Sequence, residues 1–75
     1  MNILEKFGNR VKQKRLEKGF SQESLALNAG IDRTYLPGIE KGIRNPSIKI
    51  IHQIALALGI TLSELLNFEE WEKKY

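Results

Sequence analysis

Helix start and stop signals recur at short intervals along this chain, and they limit it to a series of short helices. Residues whose side-chain oxygens cap helix N-termini precede four predicted helices, at Ser21, Asp32, Ser47 and Thr61. Glycines end four segments, at positions 19, 30, 42 and 59. The predicted helices cover residues 3–18, 22–28, 33–40 and 48–58, with a last helix from residue 62. No strand pattern competes with them, so residues 3–67 are predicted to form an all-α fold.

Apolar residues lie on one face of the first and fourth predicted helices. The first helix carries Ile3, Phe7 and Val11 at a spacing of four, and the fourth carries Ile48, Ile51, Ile54, Ala55 and Leu58. A chain of 75 residues buries only about 60% of the surface that it exposes when unfolded. The chain has no cysteine, so packing alone must hold the fold, and any extra apolar surface favours a partner.

Composition excludes several classes of protein. The absence of cysteine removes disulfides, thiolate metal sites and thiol nucleophiles. No apolar run approaches the roughly 20 residues of a membrane span, and residues 1–5 lack the pattern of a signal peptide. His52 is the only histidine and has no paired carboxylates nearby in the sequence, so no enzyme site or metal set is indicated. We expect a soluble, cytoplasmic protein without a cofactor.

The charges are distributed unevenly along the chain. Residues 1–50 contain ten Lys or Arg and five acidic residues, whereas residues 51–75 contain two and four. The N-terminal part therefore carries +5 and the remainder −2. A basic segment favours a polyanionic partner because phosphates release bound counterions on association.

Residues 21–40 have the spacing of two helices that meet at a steep angle. The small Ala26 stands where the helices approach, and Gly30 turns the chain. Apolar side chains that would fix the angle stand at Leu25, Ile31, Leu36 and Ile39. The second of these helices would expose its first turn, with Arg33, Thr34 and Tyr35, as required for entry into a DNA major groove.

Several motifs in this order resemble the Cro/repressor-like (XRE-type) helix-turn-helix family from Phe7 to about Leu66. They are Arg15, the run from Gly19 to Ala26, Gly30, Ile39-Glu40-Lys41-Gly42, Arg44-Asn45-Pro46-Ser47 and the run from Ala55 to Ile60. Within the family, Asp32-Arg33-Thr34-Tyr35 with Gly38-Ile39-Glu40 looks most like the controller proteins of restriction-modification systems.

The resemblance implies a compact five-helix, lambda-repressor-like DNA-binding domain with the helix-turn-helix in helices 2 and 3. It implies a transcriptional regulator that binds a pseudo-palindromic operator in double-stranded DNA as a homodimer, with RNA polymerase as a possible further partner. Two alternatives stay open: a phage or mobile-element repressor, and an antitoxin or other protein-interaction module with the same fold. Residues 1–75 are expected to form one domain, in which 68–75 is a tail or a helix extension.

Roles for individual residues follow from the resemblance and from side-chain chemistry. Arg33, Thr34 and Tyr35 are expected to contact bases, because the Arg fork suits guanine O6 and N7. Phosphate contacts are expected from Ser21 and Gln22, at a helix N-terminus, and from Lys41, Arg44 and Asn45, in the loop after the recognition helix. A purely structural Gln22 is an equal alternative. Arg15 and Glu40 are expected to form a partly buried salt bridge.

Two positions depart from the family pattern. Lys14 stands where the family usually has an apolar residue, so either its stem lies on the core with the ammonium in water, or the helix is shifted. Pro37-Gly38 lies inside the predicted recognition helix, where proline lacks an N–H for the carbonyl of Arg33. The helix is expected either to kink locally or to begin with a tight first turn, with Arg33, Thr34 and Tyr35 still exposed.

The C-terminal segment carries apolar residues at helical spacing. A dimer interface is expected from Leu62, Leu65, Leu66, Phe68 and Trp71, with Tyr75 continuing the stripe. The alternative is that Trp71 packs on its own subunit.

Overall fold

The computed structural model describes residues 1–68, and these fold into five helices without a strand. The helices are α1 (Ile3–Glu17), α2 (Gln22–Ala29), α3 (Leu36–Glu40), α4 (Ile48–Leu58) and α5 (Leu62–Leu65). Helix α1 packs against α3, and α2 packs against both α4 and α3. No helix in the described part is long and apolar enough to cross a membrane. The prediction of an all-α, five-helix fold is confirmed.

Side-chain caps fix the N-termini of four helices. Ser21, Ser47 and Thr61 each accept a hydrogen bond from the backbone N–H three residues later, as predicted. Thr61 and Glu64 form a reciprocal capping box. Asn2 and Glu5 form a second capping box at the start of α1, which the sequence interpretation did not identify. These bonds span only three residues, so they depend on local sequence alone.

The core is built from the inner faces of all five helices. Its largest fully enclosed side chains are Val11, Leu25, Leu36, Ile39, Ile54, Leu58 and Leu65. Two residues predicted on apolar faces differ: Ile3 is 60% exposed and Ile48 is 67% exposed. Each is the first residue of its helix. The apolar stripe therefore contributes to the core only after the first turn.

Helix α1 approaches α3 closely at a position without a side chain. Gly8 is buried, and a methyl group there would overlap the carbonyl groups of Ile39 and Glu40. The C-terminal end of α3 therefore lies directly on the backbone of α1. Further along α1, Lys14 is on an uninterrupted helix with its side chain 19% exposed and its Nζ 3.3 Å from Glu17 Oε1. This arrangement matches the first alternative, a stem on the core and an ammonium group toward solvent.

The start of α3 differs from the sequence prediction. The helix was expected from Arg33, but it begins at Leu36, and residues 33–35 form a turn. Pro37 is thereby the second residue of the helix, where its missing N–H breaks no hydrogen bond. The expectation that Arg33, Thr34 and Tyr35 lie within the helix is wrong: they form a tight turn before it, and Tyr35, at the N-cap, has helical backbone angles.

Candidate nucleic-acid interface

A short turn before α3 carries the residues predicted to contact bases. The Asp32 carboxylate accepts hydrogen bonds from the Thr34 backbone N–H at 2.8 Å and from the Thr34 hydroxyl at 2.7 Å. The Tyr35 N–H donates to the Asp32 carbonyl at 3.0 Å. The Thr34 N–H, then its hydroxyl, then the nearby Arg33 charge hold the pKa of Asp32 below its usual value. In this segment, hydrogen bonds to the Asp32 side chain therefore take the place of regular helical backbone hydrogen bonds.

Arg33 and Thr34 remain exposed in spite of the missing helix. The Thr34 hydroxyl donates its proton to Asp32, so its oxygen is oriented to accept from another group. An Arg33 nitrogen lies 3.3 Å from Glu23 Oε2, and the two side chains are 68% and 72% exposed. Such a solvated ion pair contributes about 0–1 kcal/mol, so it orients Arg33 without holding it firmly. Glu23 gave no distinct signal in the sequence, since an acid in a first helical turn is ordinary.

Tyr35 and Arg44 form one unit next to this turn. The Arg44 guanidinium carbon lies 5.5 Å from the centre of the Tyr35 ring, within range of a cation–π interaction. Tyr35 is half-buried and packs on the core, whereas Arg44 is exposed. Arg44 was predicted to bind phosphate from the loop after α3, and the structure brings it back beside the predicted base contacts.

A buried polar cluster joins α1, α2 and α3. Arg15 Nε donates to Glu40 Oε2 at 2.7 Å, and a second Arg15 nitrogen donates to Oε1 at 3.1 Å. Arg15 also donates to the Phe20 carbonyl at 2.8 Å. The side chains of Arg15 and Glu40 are only 9% and 4% exposed. The structure therefore brings together the two residues that the family resemblance pairs.

Gln22 belongs to the same cluster. Its amide nitrogen donates to Glu40 Oε1 at 3.1 Å, which corresponds to the structural alternative for this residue. Ser21, the other residue expected to contact phosphate at this end of α2, caps the helix and donates its hydroxyl proton to Ser24. To contact a phosphate, the side chains of Gln22 and Ser21 would have to give up these hydrogen bonds or divide their donors between the present partner and the phosphate. The remaining expected phosphate contacts, Lys41 and Asn45, are exposed in and beside the loop after α3.

The residues expected at a dimer interface occupy different environments. Leu65 is fully buried in its own chain, because α5 turns this side chain into the core, and it is not available to a partner in this arrangement. Leu62 and Phe68 are half-buried against the core, and Leu66 is 37% exposed. Trp71 and Tyr75 lie outside the described residues. Within residues 1–68, no group of three acidic or histidine side chains is close enough to hold a metal ion.

A helix-turn-helix family model matches residues 11–65, which is most of the chain and includes both α2 and α3. The chain belongs to the helix-turn-helix family.

Two kinds of known helix-turn-helix protein are similar to this chain. The control protein C.MunI of Mycoplasma sp is 49% identical over 74 residues, covering 97% of each chain. The crystal structure of the restriction-modification controller protein C.AhdI from Aeromonas hydrophila superposes with a TM-score of 0.81 at 48% identity, covering 83% of this chain and 94% of that one. The biofilm regulator SinR, in a crystal structure with DNA, gives a TM-score of 0.77 at 39% identity, covering 81% and 98%. The resemblance to helix-turn-helix regulators and to controller proteins is confirmed.

Proposed function

We propose that this helix-turn-helix protein is a transcriptional regulator that binds a specific site in double-stranded DNA, as a restriction-modification controller protein. The observation that carries the proposal is the exposed Arg33-Thr34 turn, fixed by Asp32 at the start of α3 and next to α2. The similarity to a controller protein over nearly the whole chain supports it. In a relative with this fold, the crystal structure contains DNA.

Base recognition is assigned to Arg33, Thr34 and Tyr35. The Arg33 guanidinium can donate two parallel hydrogen bonds to guanine O6 and N7 once it leaves Glu23. The Thr34 oxygen, with its proton on Asp32, suits a base amino group, which donates. The Tyr35 ring lies under Arg44 and would reach the same stretch of the groove.

Phosphate binding is assigned to the N-terminal end of α2 and to the loop after α3. In and beside the loop, Lys41, Arg44 and Asn45 are exposed. Exposed cations such as Lys41 and Arg44 contribute to DNA affinity mainly by releasing counterions from the phosphates. These contacts would fix the register of the protein and would not read sequence.

A homodimer is the form that we propose binds the operator. An apolar surface groove of about 160 Å³ supports it, and its lining includes Ile3, Leu4, Phe7, Leu66 and Phe68. A two-fold dimer presents its two recognition elements about 34 Å apart, which predicts a pseudo-palindromic site. We place this regulator in the cytoplasm, where RNA polymerase is a candidate further partner.

Selection of binding sites from random duplex DNA, followed by two matched substitutions, tests the proposed function. Arg33→Ala should relax base preference at one position of each half-site and should reduce the binding free energy for the selected site by about 1–3 kcal/mol. Lys41→Ala should weaken binding to all DNA sequences alike and should reduce the slope of log affinity against log salt concentration by about 1. Lys12→Ala removes the same charge from an exposed part of α1 and serves as the control. Association that is insensitive to salt and to Arg33→Ala would instead favour a protein-interaction module.

Sedimentation at micromolar concentration tests the dimer. Leu66→Asp should shift the chain to a monomer, because it places a charge beside the apolar groove. Leu27→Asp is the matched control, since Leu27 is 80% exposed on α2, away from that groove. Equal dissociation of both variants, or of neither, would refute an interface at Leu66.

A further inference from the structure

Gly38 is a glycine that neither helix propensity nor backbone conformation explains. It is the third residue of the five-residue helix α3, and it is not among the glycines with positive φ. Only proline is less favourable than glycine in a helix interior. A glycine in such a place is explained when another group occupies the space that a side chain would fill.

The group that approaches Gly38 is the stem of Arg44. A Cβ on residue 38 would lie 2.7 Å from Arg44 Cγ, 3.5 Å from its Nε and 3.6 Å from its Cδ. The Gly38 carbonyl also accepts hydrogen bonds from the Ile43 N–H at 2.9 Å and from the Arg44 N–H at 3.2 Å. The loop after α3 thus folds back on Gly38, and the Arg44 stem crosses the helix in the space where a side chain would be.

This packing decides where the Arg44 charge lies. With its stem on Gly38, Arg44 holds its guanidinium over the Tyr35 ring, at the end of the turn that carries Arg33 and Thr34. An exposed arginine without such support samples many rotamers and loses that freedom on binding. The contact therefore orders the cation before DNA arrives.

We infer that Gly38 is a positioning residue for DNA binding, whose missing side chain seats Arg44 against α3 and over Tyr35. The inference rests on the proposed function, because it assigns Gly38 a role through a DNA contact of Arg44. Gly38 itself touches no base or phosphate. A side chain at this position would displace Arg44 and leave the helix intact, since the group that it meets is a flexible exposed side chain.

Gly38→Ala is the direct test. We expect its melting temperature to equal or exceed that of the wild type, because alanine favours a helix. Its affinity for the selected site should fall about 2- to 10-fold, the cost of ordering one arginine side chain. Arg44→Ala should weaken binding at least as much. Wild-type affinity in Gly38→Ala would overturn the inference.

A double-substitution cycle separates positioning from a general structural effect. In the Arg44→Ala background, Gly38→Ala should cause no further loss, because the group that it displaces is already gone. In the Lys41→Ala background it should cost its full 2- to 10-fold, about the same as in the wild type. An equal loss in both backgrounds would overturn the inference.

Proton NMR of the free protein gives a readout without DNA. Arg44 side-chain protons above the Tyr35 ring should be shifted upfield, and Tyr35→Leu and Gly38→Ala should each remove the shift. Absence of the shift in the wild type would overturn the seating of Arg44. If the wild type binds no selected DNA, the proposed function fails; if it binds and Gly38→Ala binds equally well, only this inference fails.

Discussion

Replacing Glu40 by alanine tests the buried polar cluster most severely. Glu40→Ala removes the two carboxylate oxygens that accept from the Arg15 guanidinium, one of which also accepts from the Gln22 amide. Arg15 retains only its bond to the Phe20 carbonyl among these contacts. A positive charge that is 9% exposed is then left without its carboxylate.

The expected loss is large for a chain of this size. Removing one partner of a buried ion pair costs about 3–5 kcal/mol, and the remaining Phe20 bond argues for the lower end. A loss of about 3 kcal/mol lowers the melting temperature of a small domain by about 12–24 °C, at about 4–8 °C per kcal/mol. The free energy of unfolding of small domains is only about 5–15 kcal/mol, so this loss removes a large share of it, and Glu40→Ala should still fold but unfold at a much lower temperature and urea concentration.

Thermal and urea unfolding followed by far-UV circular dichroism measure this loss. The chain concentration must be equal for all variants, because dimerisation would shift apparent stability. Glu23→Ala is the matched control: it breaks an ion pair of 3.3 Å that is largely exposed, so its cost should stay below about 1 kcal/mol. Arg15→Met with Glu40→Leu should recover most of the stability, because no charge is left unpaired. A Glu40→Ala protein within about 0.5 kcal/mol of the wild type would refute the reasoning.

Three further predictions concern α3 and the turns around it. Gly30→Ala should cost about 1–2 kcal/mol in urea unfolding, because its φ of 70° is left-handed; an unchanged midpoint would contradict this. The Asp32 carboxyl should titrate below 3.8 by NMR, and Thr34→Ala should raise this pKa only part of the way, because the backbone N–H remains. The stability that Asp32 contributes is present above pH 3.8 and is lost as pH falls through the lowered folded pKa. In Pro37→Ala, the Cα shifts of residues 33–35 should move toward helical values; unchanged shifts would mean that Asp32 alone sets the start of α3.

Local features of the fold could be predicted from the sequence. The caps at Ser21, Ser47 and Thr61 depend on bonds within three residues, and the left-handed Gly30 follows from a helix that ends there. The all-α architecture needed only these signals and the apolar stripe of α4. Pro37 indicated that the start of α3 would be irregular, but the sequence left a kink and a tight first turn as alternatives and placed the helix start three residues too early.

Contacts between distant segments could not be predicted in the same way. Gly8 resembles any helical glycine in the sequence, and only the packing of α3 on α1 shows why it has no side chain. Arg44 was placed on phosphate by its position in a loop, whereas its contact with Tyr35 depends on how that loop returns to α3. Leu65 and Leu66 are adjacent leucines that the sequence does not distinguish, and only the orientation of α5 decides that Leu65 is buried and Leu66 exposed.

The turn at residues 32–35 bears on how this protein can acquire a new operator. Its conformation comes from Asp32 and from the start of α3, so the side chains of Arg33 and Thr34 contribute nothing to the core. Substitutions at Arg33 leave the bonds of the turn in place, and those at Thr34 remove its hydroxyl bond to Asp32 but keep the backbone N–H bond. Base preference can therefore change while the packing of the core is kept. Under the proposed function, recognition can then diverge between closely related regulators while Asp32, Leu36 and the Arg15–Glu40 pair stay fixed.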